Sequence, residues 1–403
     1  MSSTPRGERL IITLLGNRNS GKSSLINALT NQEIAIVSEV PGTTTDPVAK
    51  RYELLPLGPV TFYDTAGLDD MGELGEKRIR AAYKVLFKTD MAIFVNDGSP
   101  FQENELKALQ RLKEMKLPVL VIFNKSDLRK PHQKNIEFCQ KNDLAWISVS
   151  ATTKENISLA KEKIIELAPS YLKEERPLVR DIVHSGDRVI LVTPIDASAP
   201  KGRLILPQVQ VLRDLLDSGA VTTVVREFEL NKALKALKSE PDLVITDSQV
   251  IQKVVNQLPP QVPLTTFSIL FARYKGDLEA LIKGCQKIDE LKDGDRILIA
   301  EACSHHPQKD DIGRTKIPNW LKNYTQKDLN FDIAAGSDFP DNLEDYALII
   351  HCGACMLNQK EMNNRIREAE RRGVPITNYG LAISKLHGYF ERTIAPLKIP
   401  FRA

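Results

Sequence analysis

The chain has few of the features that indicate secretion, a membrane or a disulfide framework. Only 5 of its 403 residues are cysteine, which argues against disulfides and suits a reducing compartment, where thiols stay free or bind metal. The N-terminal stretch MSSTPRGERL has no apolar core for a secretion signal. No stretch of the chain reaches the ~18 apolar residues of a membrane span. A cytoplasmic protein without membrane contact is therefore predicted.

An excess of charge of either sign is also missing. The 55 Lys and Arg against 52 Asp and Glu leave a net charge of +3, so nothing in the overall balance demands a nucleic acid or an anionic membrane. No nucleic-acid partner is predicted. The hydrophobic fraction of 42% is ordinary for a globular protein, and the length favours two or three domains. The function must therefore be sought in local motifs.

The first such motif lies near the N-terminus. The stretch RLIITLLGNRNSGKSSLINAL is typical of a strand, a glycine loop and a helix, and residues 16–23 fit the phosphate-loop pattern G-x-x-x-x-G-K-S/T in full. Its glycines let backbone amides turn toward the phosphates, Lys22 can reach the outer phosphates, and the Ser23 hydroxyl can bind Mg²⁺. The following helix points its positive end at the anion. The predicted phosphate contacts are Gly16, Asn19, Ser20, Gly21, Lys22, Ser23 and Ser24.

A second motif, FYDTAGL, ends a strand with Asp64, three residues before Gly67. An acid at this place can hold Mg²⁺ through water, and the Gly67 amide can sense the terminal phosphate. Leu68 follows where many GTPases carry a water-positioning glutamine. Because an apolar side chain cannot orient water, slow intrinsic hydrolysis is predicted.

Three further stretches resemble GTPase motifs. Asn124-Lys125-Ser126-Asp127 is similar to the guanine-reading N-K-x-D, in which Asp127 would accept from the ring N1–H and the exocyclic amine, and Ser150-Ala151 resembles the fifth motif. VPGTTTDP resembles the first switch of the TrmE–Era–EngA group, which implies Thr44 as a Mg²⁺ ligand. That group also places an asparagine at the position of Asn19 to help hold K⁺. The resemblance therefore implies K⁺ stimulation, with an ordinary loop residue as the alternative.

A charged, proline-bearing stretch near residues 170–187 is typical of a linker. Beyond it, strands and helices alternate as in a small parallel α/β unit that has no nucleotide fingerprint. A unit of roughly 75 residues is often stabilised by contact with a partner surface. Homodimerisation is therefore predicted, with a spacer domain as the alternative. A polar loop after its first strand carries Asp196, which is either a helix cap or part of a site formed with the next domain.

A third alternation begins near residue 263 with a strand expected in PLTTFSILFARYKG. Later, DRILIAEA leads into Cys303, and ALIIH leads into Cys352, with Cys355 in the first turn of the next helix. Carboxyl ends of neighbouring parallel strands lie only about 5 Å apart, so the three thiols should gather at one edge, where a helix N-terminus favours thiolates. With nearby histidines, they permit either Zn²⁺ bound as Cys₃His or a [4Fe–4S] cluster with one non-cysteine ligand.

The whole constellation resembles one family, the [FeFe]-hydrogenase maturation GTPase HydF. The GTPase motifs are joined to a terminal C-x-H…H-C-x-x-C, and APKGRLILPQ also looks like the family's middle region. The resemblance implies a [4Fe–4S] cluster on Cys303, Cys352 and Cys355, whose fourth ligand is left open between Asp196, His305, His351, water and an incoming precursor. It further implies a scaffold that carries a transient diiron precursor to apo-[FeFe]-hydrogenase. The two radical S-adenosylmethionine maturases that make the precursor's ligands would be further partners.

The predicted fold is therefore α/β throughout. A P-loop GTPase domain (1–170) precedes two smaller parallel-sheet α/β domains, a dimerisation domain (171–262) and an iron–sulfur cluster-binding domain (263–403). GTP would bias how partners dock and leave rather than drive bond chemistry. The alternative function is a ribosome- or tRNA-associated GTPase whose C-terminal module holds a structural zinc.

Overall fold

The computed structural model describes residues 9–31, 47–69, 77, 81–169, 177–195, 204–302, 311–336, 339–340, 342–355 and 357–397. The chain divides into two compact units, Met1–Glu175 and Arg176–Ala403. Within the described ranges, no helix combines the length and apolarity that crossing a membrane requires. The predicted α/β class is confirmed by one six-stranded sheet and two four-stranded sheets, while the three predicted domain boundaries stay a prediction.

The N-terminal unit is built on a sheet with the strand order β2-β3-β1-β4-β5-β6, in which only β2 runs antiparallel to its neighbour. Strands β1, β4 and β5 are buried along their whole length, as expected for parallel strands covered on both faces. The strands are β1 Leu10–Leu15, β2 Val48–Leu54, β3 Gly58–Asp64, β4 Met91–Asn96, β5 Val119–Phe123 and β6 Ala145–Ser148. The helices are α1 Lys22–Thr30, α2 Glu103–Glu114, α3 Gln133–Lys141 and α4 Ile157–Leu167.

The first sheet of the C-terminal unit has the order β10-β9-β7-β8, with all pairs parallel. Its strands are β7 Arg188–Val192, β8 Val221–Val225, β9 Leu243–Thr246 and β10 Leu264–Thr266. Its helices are α5 Leu206–Asp217, α6 Leu230–Ala236 and α7 Ile251–Val255. Strand β8 lies at the end of this order, so one of its edges pairs with no strand in the described part of the chain.

The second sheet of this unit has the order β12-β11-β13-β14, again with all pairs parallel. Its strands are β11 Arg296–Glu301, β12 Asn330–Ala335, β13 Leu348–His351 and β14 Ile376–Asn378. The helices of this region are α8 Phe267–Lys275, α9 Leu278–Gln286, α10 Ile317–Thr325, α11 Gln359–Arg371, α12 Tyr379–Leu386 and α13 Phe390–Ile394. One hydrophobic core runs beneath both sheets of the unit.

The expected strand in PLTTFSILFARYKG is wrong for most of its length. Only β10 is extended, and it pairs with β9 in the first of the two small sheets rather than opening the second. The Thr266 hydroxyl then accepts a hydrogen bond from the Ile269 amide at 3.2 Å and caps helix α8. Because α8 is buried on most of its sides, its apolar run lacks the helical periodicity that would have distinguished it from a buried strand.

Candidate nucleotide and metal sites

The loop between β1 and α1 is shaped by two glycines that other residues cannot replace. A Cβ at Gly16 would lie 2.1 Å from the carbonyl oxygen of Val95 in β4. A Cβ at Gly21, whose φ is +90°, would lie 2.2 Å from Nδ2 of Asn124. The loop is therefore held closely against the carboxyl ends of β4 and β5, where the backbone amides of a phosphate loop are needed.

The predicted phosphate and Mg²⁺ groups lie at the start of α1. The buried Lys22 ammonium donates to the carbonyl oxygens of Gly16 at 3.0 Å and Asn17 at 2.9 Å, which holds it across the loop. The Ser23 hydroxyl donates to the Asp64 carboxylate at the end of β3. The two groups predicted to bind Mg²⁺ directly and through water are thus adjacent.

The segment after β3 packs closely against the phosphate loop. The Leu68 amide donates to the Gly16 carbonyl at 3.2 Å, and the Arg18 amide donates to Asp69 Oδ1 at 2.6 Å. A Cβ at Gly67 would lie 2.3 Å from Arg18 Cγ, so only glycine fits there. The Leu68 side chain is buried in the core of the GTPase sheet, where it cannot position water.

Asn124 joins the base-reading motif to the phosphate loop. Its Nδ2 donates to the Ser20 carbonyl at 3.0 Å, and its Oδ1 accepts from the Ala151 amide at 3.0 Å. Lys125 has a φ of +63°, and Asp127 is exposed on the turn that follows. The sequence-predicted loop, N-K-x-D motif and Ser150-Ala151 motif therefore meet at one end of the sheet.

Four sequence-predicted site residues lie outside the described residues, namely Thr44, Asp196, Cys303 and His305. Their placement stays a prediction. The remaining phosphate-loop candidates, Asn19 and Ser24, are both exposed.

The carboxyl edge of the C-terminal sheet brings Cys352 beside the end of β11. Ala300 and His351 are register partners, and the Cys352 amide donates to the Ala300 carbonyl at 2.8 Å. The Cys352 Sγ in turn accepts from the Ala302 amide at 3.2 Å. One thiol therefore lies against the residue that directly precedes Cys303.

The expectation that Cys355 occupies the first turn of the next helix is wrong. Helix α11 begins later, at Gln359, because the Asn358 side chain accepts from the Glu361 amide at 2.8 Å and caps the helix there. Cys355 lies in the turn between β13 and this cap. The helix N-terminus therefore does not act on its thiol in the way the sequence suggested.

A lysine that the sequence did not single out orders that turn. Lys275, at the end of α8, is only 1% exposed, and its ammonium donates to three carbonyl oxygens, those of Ala354 at 3.2 Å, Cys355 at 3.0 Å and Leu357 at 2.8 Å. No motif indicates this role, since it depends on a helix that is 79 residues away from Ala354 in sequence.

His351 uses both of its ring nitrogens within the protein. Nε2 lies 2.9 Å from Arg365 Nη1, and Nδ1 lies 2.9 Å from the Cys352 carbonyl oxygen. Complete burial, and then the charge of Arg365, lower the pKa of His351 to about 3, so the ring is neutral. Because a guanidinium can only donate, Nε2 accepts and the Nδ1–H donates. This arrangement disfavours His351 as the fourth ligand of a metal.

Within the described ranges, no group of three or more His, Cys, Asp or Glu side chains forms a metal cage. A site on the cysteines would therefore need Cys303, which lies outside those ranges.

Family comparisons cover both units of the chain. Residues 178–276 match the hydrogen maturase F dimerization domain, and residues 279–396 match the hydrogen maturase F tetramerization domain. The chain belongs to the HydF family. Residues 11–125 of this HydF match a model described as 50S ribosome-binding GTPase. Its N-terminal unit is thus a GTP-binding P-loop domain, and the two other domains provide self-association.

Two curated GTPases each match about two fifths of the chain. The tRNA modification GTPase MnmE of Hamiltonella defensa is 35% identical over 163 residues, which are 39% of this chain and 35% of that protein. The GTPase Der of Wolinella succinogenes is 35% identical over 170 residues, or 40% and 36% of the two chains. The HydF chain thus spans about a third of the length of each of these relatives.

Two solved structures show a limited similarity to the chain. The G domain of the T. maritima FeoB iron transporter has a TM-score of 0.33 and 27% identity, covering 40% of this chain and 98% of that one. An Aquifex aeolicus Era variant bound to GDP and AlF₄⁻ has a TM-score of 0.35 and 19% identity, covering 62% and 97%.

Proposed function

We propose that this HydF is a GTP-hydrolysing scaffold that holds a [4Fe–4S] cluster and carries a diiron precursor to apo-[FeFe]-hydrogenase. Cys303, Cys352 and Cys355 would hold the cluster, and the cluster would supply an iron at which the precursor can attach. The observation that carries this proposal, beside family membership, is the contact of Cys352 Sγ with the Ala302 amide. It supports a cluster because it brings Cys352 against Ala302, the residue that directly precedes Cys303 in the sequence.

The chemistry of the surrounding groups suits a cluster with net negative charge. The backbone amide that donates to Cys352 Sγ stabilises negative charge on sulfur. One cation is almost fully buried near the motif, namely Lys275, which binds the turn of Cys355. A second, Arg365, binds His351 and is paired with the buried Glu361. The buried positive charge of Lys275 offsets the charge of thiolates and a cluster.

The fourth ligand remains a proposal. With both nitrogens of His351 engaged, Asp196 is the first candidate, and His305, water or the precursor itself are the others. An oxygen ligand would exchange readily, which suits a site that accepts a second iron unit. The EPR spectrum of a reduced Asp196→Ala protein tests this candidate, since an unchanged spectrum would exclude it.

At the nucleotide end, we assign the roles by the motif and by the contacts described above. Lys22 and the loop amides bind the phosphates, Ser23 and Thr44 bind Mg²⁺, Asp64 holds Mg²⁺ through water, and the Gly67 amide senses the terminal phosphate. Asp127 reads guanine, with Asn124 fixing its loop. The apolar Leu68 side chain is buried and cannot orient water, which supports slow intrinsic hydrolysis.

We further propose that K⁺ stimulates hydrolysis through Asn19. This side chain is exposed on the phosphate loop, in a left-handed conformation with φ +56°, where it can help hold a cation beside the phosphates. GTP hydrolysis in K⁺ is expected to exceed that in Na⁺ by about tenfold. Asn19→Ala should abolish the difference, as measured by phosphate release in each salt.

Asn31→Ala is the matched control for this measurement. Asn31 is also exposed and left-handed, with φ +52°, but it lies at the far end of α1. The Asn31→Ala protein should still hydrolyse GTP faster in K⁺ than in Na⁺. Equal rates in K⁺ and Na⁺ for the unmodified protein would contradict the proposal.

The dimerization domain exposes apolar side chains on and beside the edge strand of its sheet, which fits self-association. Val221 and Val224 on the open edge strand β8 are 60% and 41% exposed, and Leu216 on the neighbouring helix α5 is 59% exposed. An open apolar edge strand is a template for pairing with a second copy. We therefore place the dimer contact at β8.

A Val221→Lys/Val224→Lys double variant should dissociate this dimer. If β8 pairs with the β8 of a second copy, these lysines bring like charges together at the contact, so the dissociation constant should rise at least about 100-fold. Light scattering after size exclusion, over a range of protein concentrations, measures the dissociation constant. Leu159→Lys, which changes an exposed leucine of the GTPase unit, should leave the oligomer intact. An unchanged oligomer in the double variant would show that the dimer contact does not lie at β8.

The scaffold role itself is tested by activation of apo-hydrogenase. HydF isolated from cells that also make both radical maturases should activate the apo-enzyme, whereas HydF made alone should not. Equal activation by the two preparations would contradict a carried precursor.

Two findings favour the alternative of a ribosome- or tRNA-associated GTPase. They are the description of the family model that matches residues 11–125 and the similarity to a tRNA modification GTPase. These matches are confined to about 40% of the chain. They leave residues 178–396, which the HydF models match, without an explanation. Zinc instead of iron in the purified protein, together with co-sedimentation with ribosomes, would favour this alternative.

A further inference from the structure

Tyr379 occupies a position beside the cysteine motif that nothing in the proposed function has used. It directly follows β14, just as Cys352 directly follows β13, and these strands are neighbours whose register pairs Asn378 with His351. The next residue on each strand therefore lies at the same carboxyl edge of the sheet. Tyr379 and Cys352 are neighbours at that edge.

The hydroxyl of Tyr379 is buried and has no hydrogen-bond partner among the described residues. A phenol hydroxyl removed from water without a partner is costly, and such groups in proteins usually serve a ligand or a function. The surrounding chain makes room for it, because a Cβ at Gly313 would lie 2.0 Å from Tyr379 Oη. The Tyr379 hydroxyl fits there because Gly313 has no side chain.

The nearby carboxylate binds Arg314 and makes no hydrogen bond with the Tyr379 hydroxyl. Glu301, at the end of β11, is 1% exposed and accepts from Arg314 through Nη2 at 2.8 Å and Nε at 3.4 Å. Burial, followed by the charges of Cys352 and then Glu301, raises the pKa of Tyr379 far above its ordinary value. A phenol hydroxyl carries its proton at neutral pH and is therefore available as a donor.

We infer that Tyr379 donates a hydrogen bond to sulfur at the Cys352 corner of the iron–sulfur cluster, and thereby stabilises the reduced cluster. This inference rests on the proposed function, since it requires the cluster. One-electron reduction adds negative charge to the cluster sulfurs, so an O–H donor stabilises the reduced form more than the oxidised form. Tyr379 thus makes the cluster easier to reduce.

The test is an EPR-monitored redox titration of the full-length, anaerobically reconstituted protein, with dithionite as the electron donor. Tyr379→Phe removes one oxygen atom and keeps the ring that packs against the sheet. Its midpoint potential should become more negative, so that at a fixed potential the ratio of reduced to oxidised cluster falls about three- to tenfold. Iron and sulfide content should stay at the level of the unmodified protein.

Tyr324→Phe is the matched control, because its hydroxyl donates to Asp289 at 3.0 Å rather than facing the cysteine motif. It should leave the potential unchanged. A Tyr379→Phe protein with full iron content and an unchanged potential would overturn the inference while leaving the proposed cluster intact. Absence of iron from the unmodified protein would overturn both.

Discussion

Cys352→Ser is expected to remove most of the iron from reconstituted HydF, with a loss of at least about tenfold. The thiol lies at the end of β13, where its sulfur accepts from the Ala302 amide, and a serine hydroxyl is a far weaker ligand for iron. The EPR signal of the dithionite-reduced protein should disappear with the iron. Colorimetric iron and sulfide analysis of anaerobically reconstituted protein measures the effect.

Cys285→Ser and Cys139→Ser are the matched controls for that prediction. Both thiols are fully buried in hydrophobic cores, and burial raises the pKa of Cys285 to about 12 and that of Cys139 to about 11. They are therefore neutral packing groups, and their serine variants should keep the iron. Full iron in Cys352→Ser, or an equal loss in all three variants, would contradict the assignment of the cluster to the cysteine motif.

Lys22→Ala is expected to lower GTP hydrolysis at least about 100-fold, since it removes the cation that stabilises charge on the transferring phosphate. The Lys22 ammonium lies across the phosphate loop on the carbonyls of Gly16 and Asn17. The iron content should not change, because this lysine belongs to the other compact unit. Phosphate release and activation of apo-hydrogenase are to be measured on the same preparation.

If GTP controls how partners dock and leave, the Lys22→Ala protein should activate the hydrogenase more slowly, in parallel with its slower GTP hydrolysis. Lys113→Ala, which changes an exposed lysine that donates to Asn142, should leave both rates unchanged. A Lys22→Ala protein that matures hydrogenase at the rate of the unmodified protein would exclude a role for the nucleotide switch in delivery.

Local sequence patterns were sufficient for the nucleotide end of the molecule. The phosphate loop and the N-K-x-D motif each follow a strand that is buried along its length, and Asp64 ends another strand of the same sheet, so motif and fold indicate the same edge. The additional contacts of Asn124, which join the N-K-x-D motif to the phosphate loop and to Ala151, could not be read from the sequence. It depends on the register of strands far apart in the chain.

The C-terminal site was predicted less completely, and the reason is physical. A sequence motif identifies the cysteines. The positions of Lys275 and Tyr379 near them depend on helix packing and strand register, which no local sequence pattern indicates. The same limit explains His351. Its adjacency to Cys352 suggested a ligand, but the sequence could not show its contact with Arg365, 14 residues away, which engages Nε2.

The measurement that tests the account most directly is iron, sulfide and zinc analysis of the anaerobically purified and reconstituted protein, with EPR after dithionite reduction. The scaffold account predicts about four irons and four sulfides per chain and a fast-relaxing EPR signal from the reduced cluster. About one zinc per chain, with no EPR signal, would contradict it and favour a structural zinc module attached to a translation-linked GTPase.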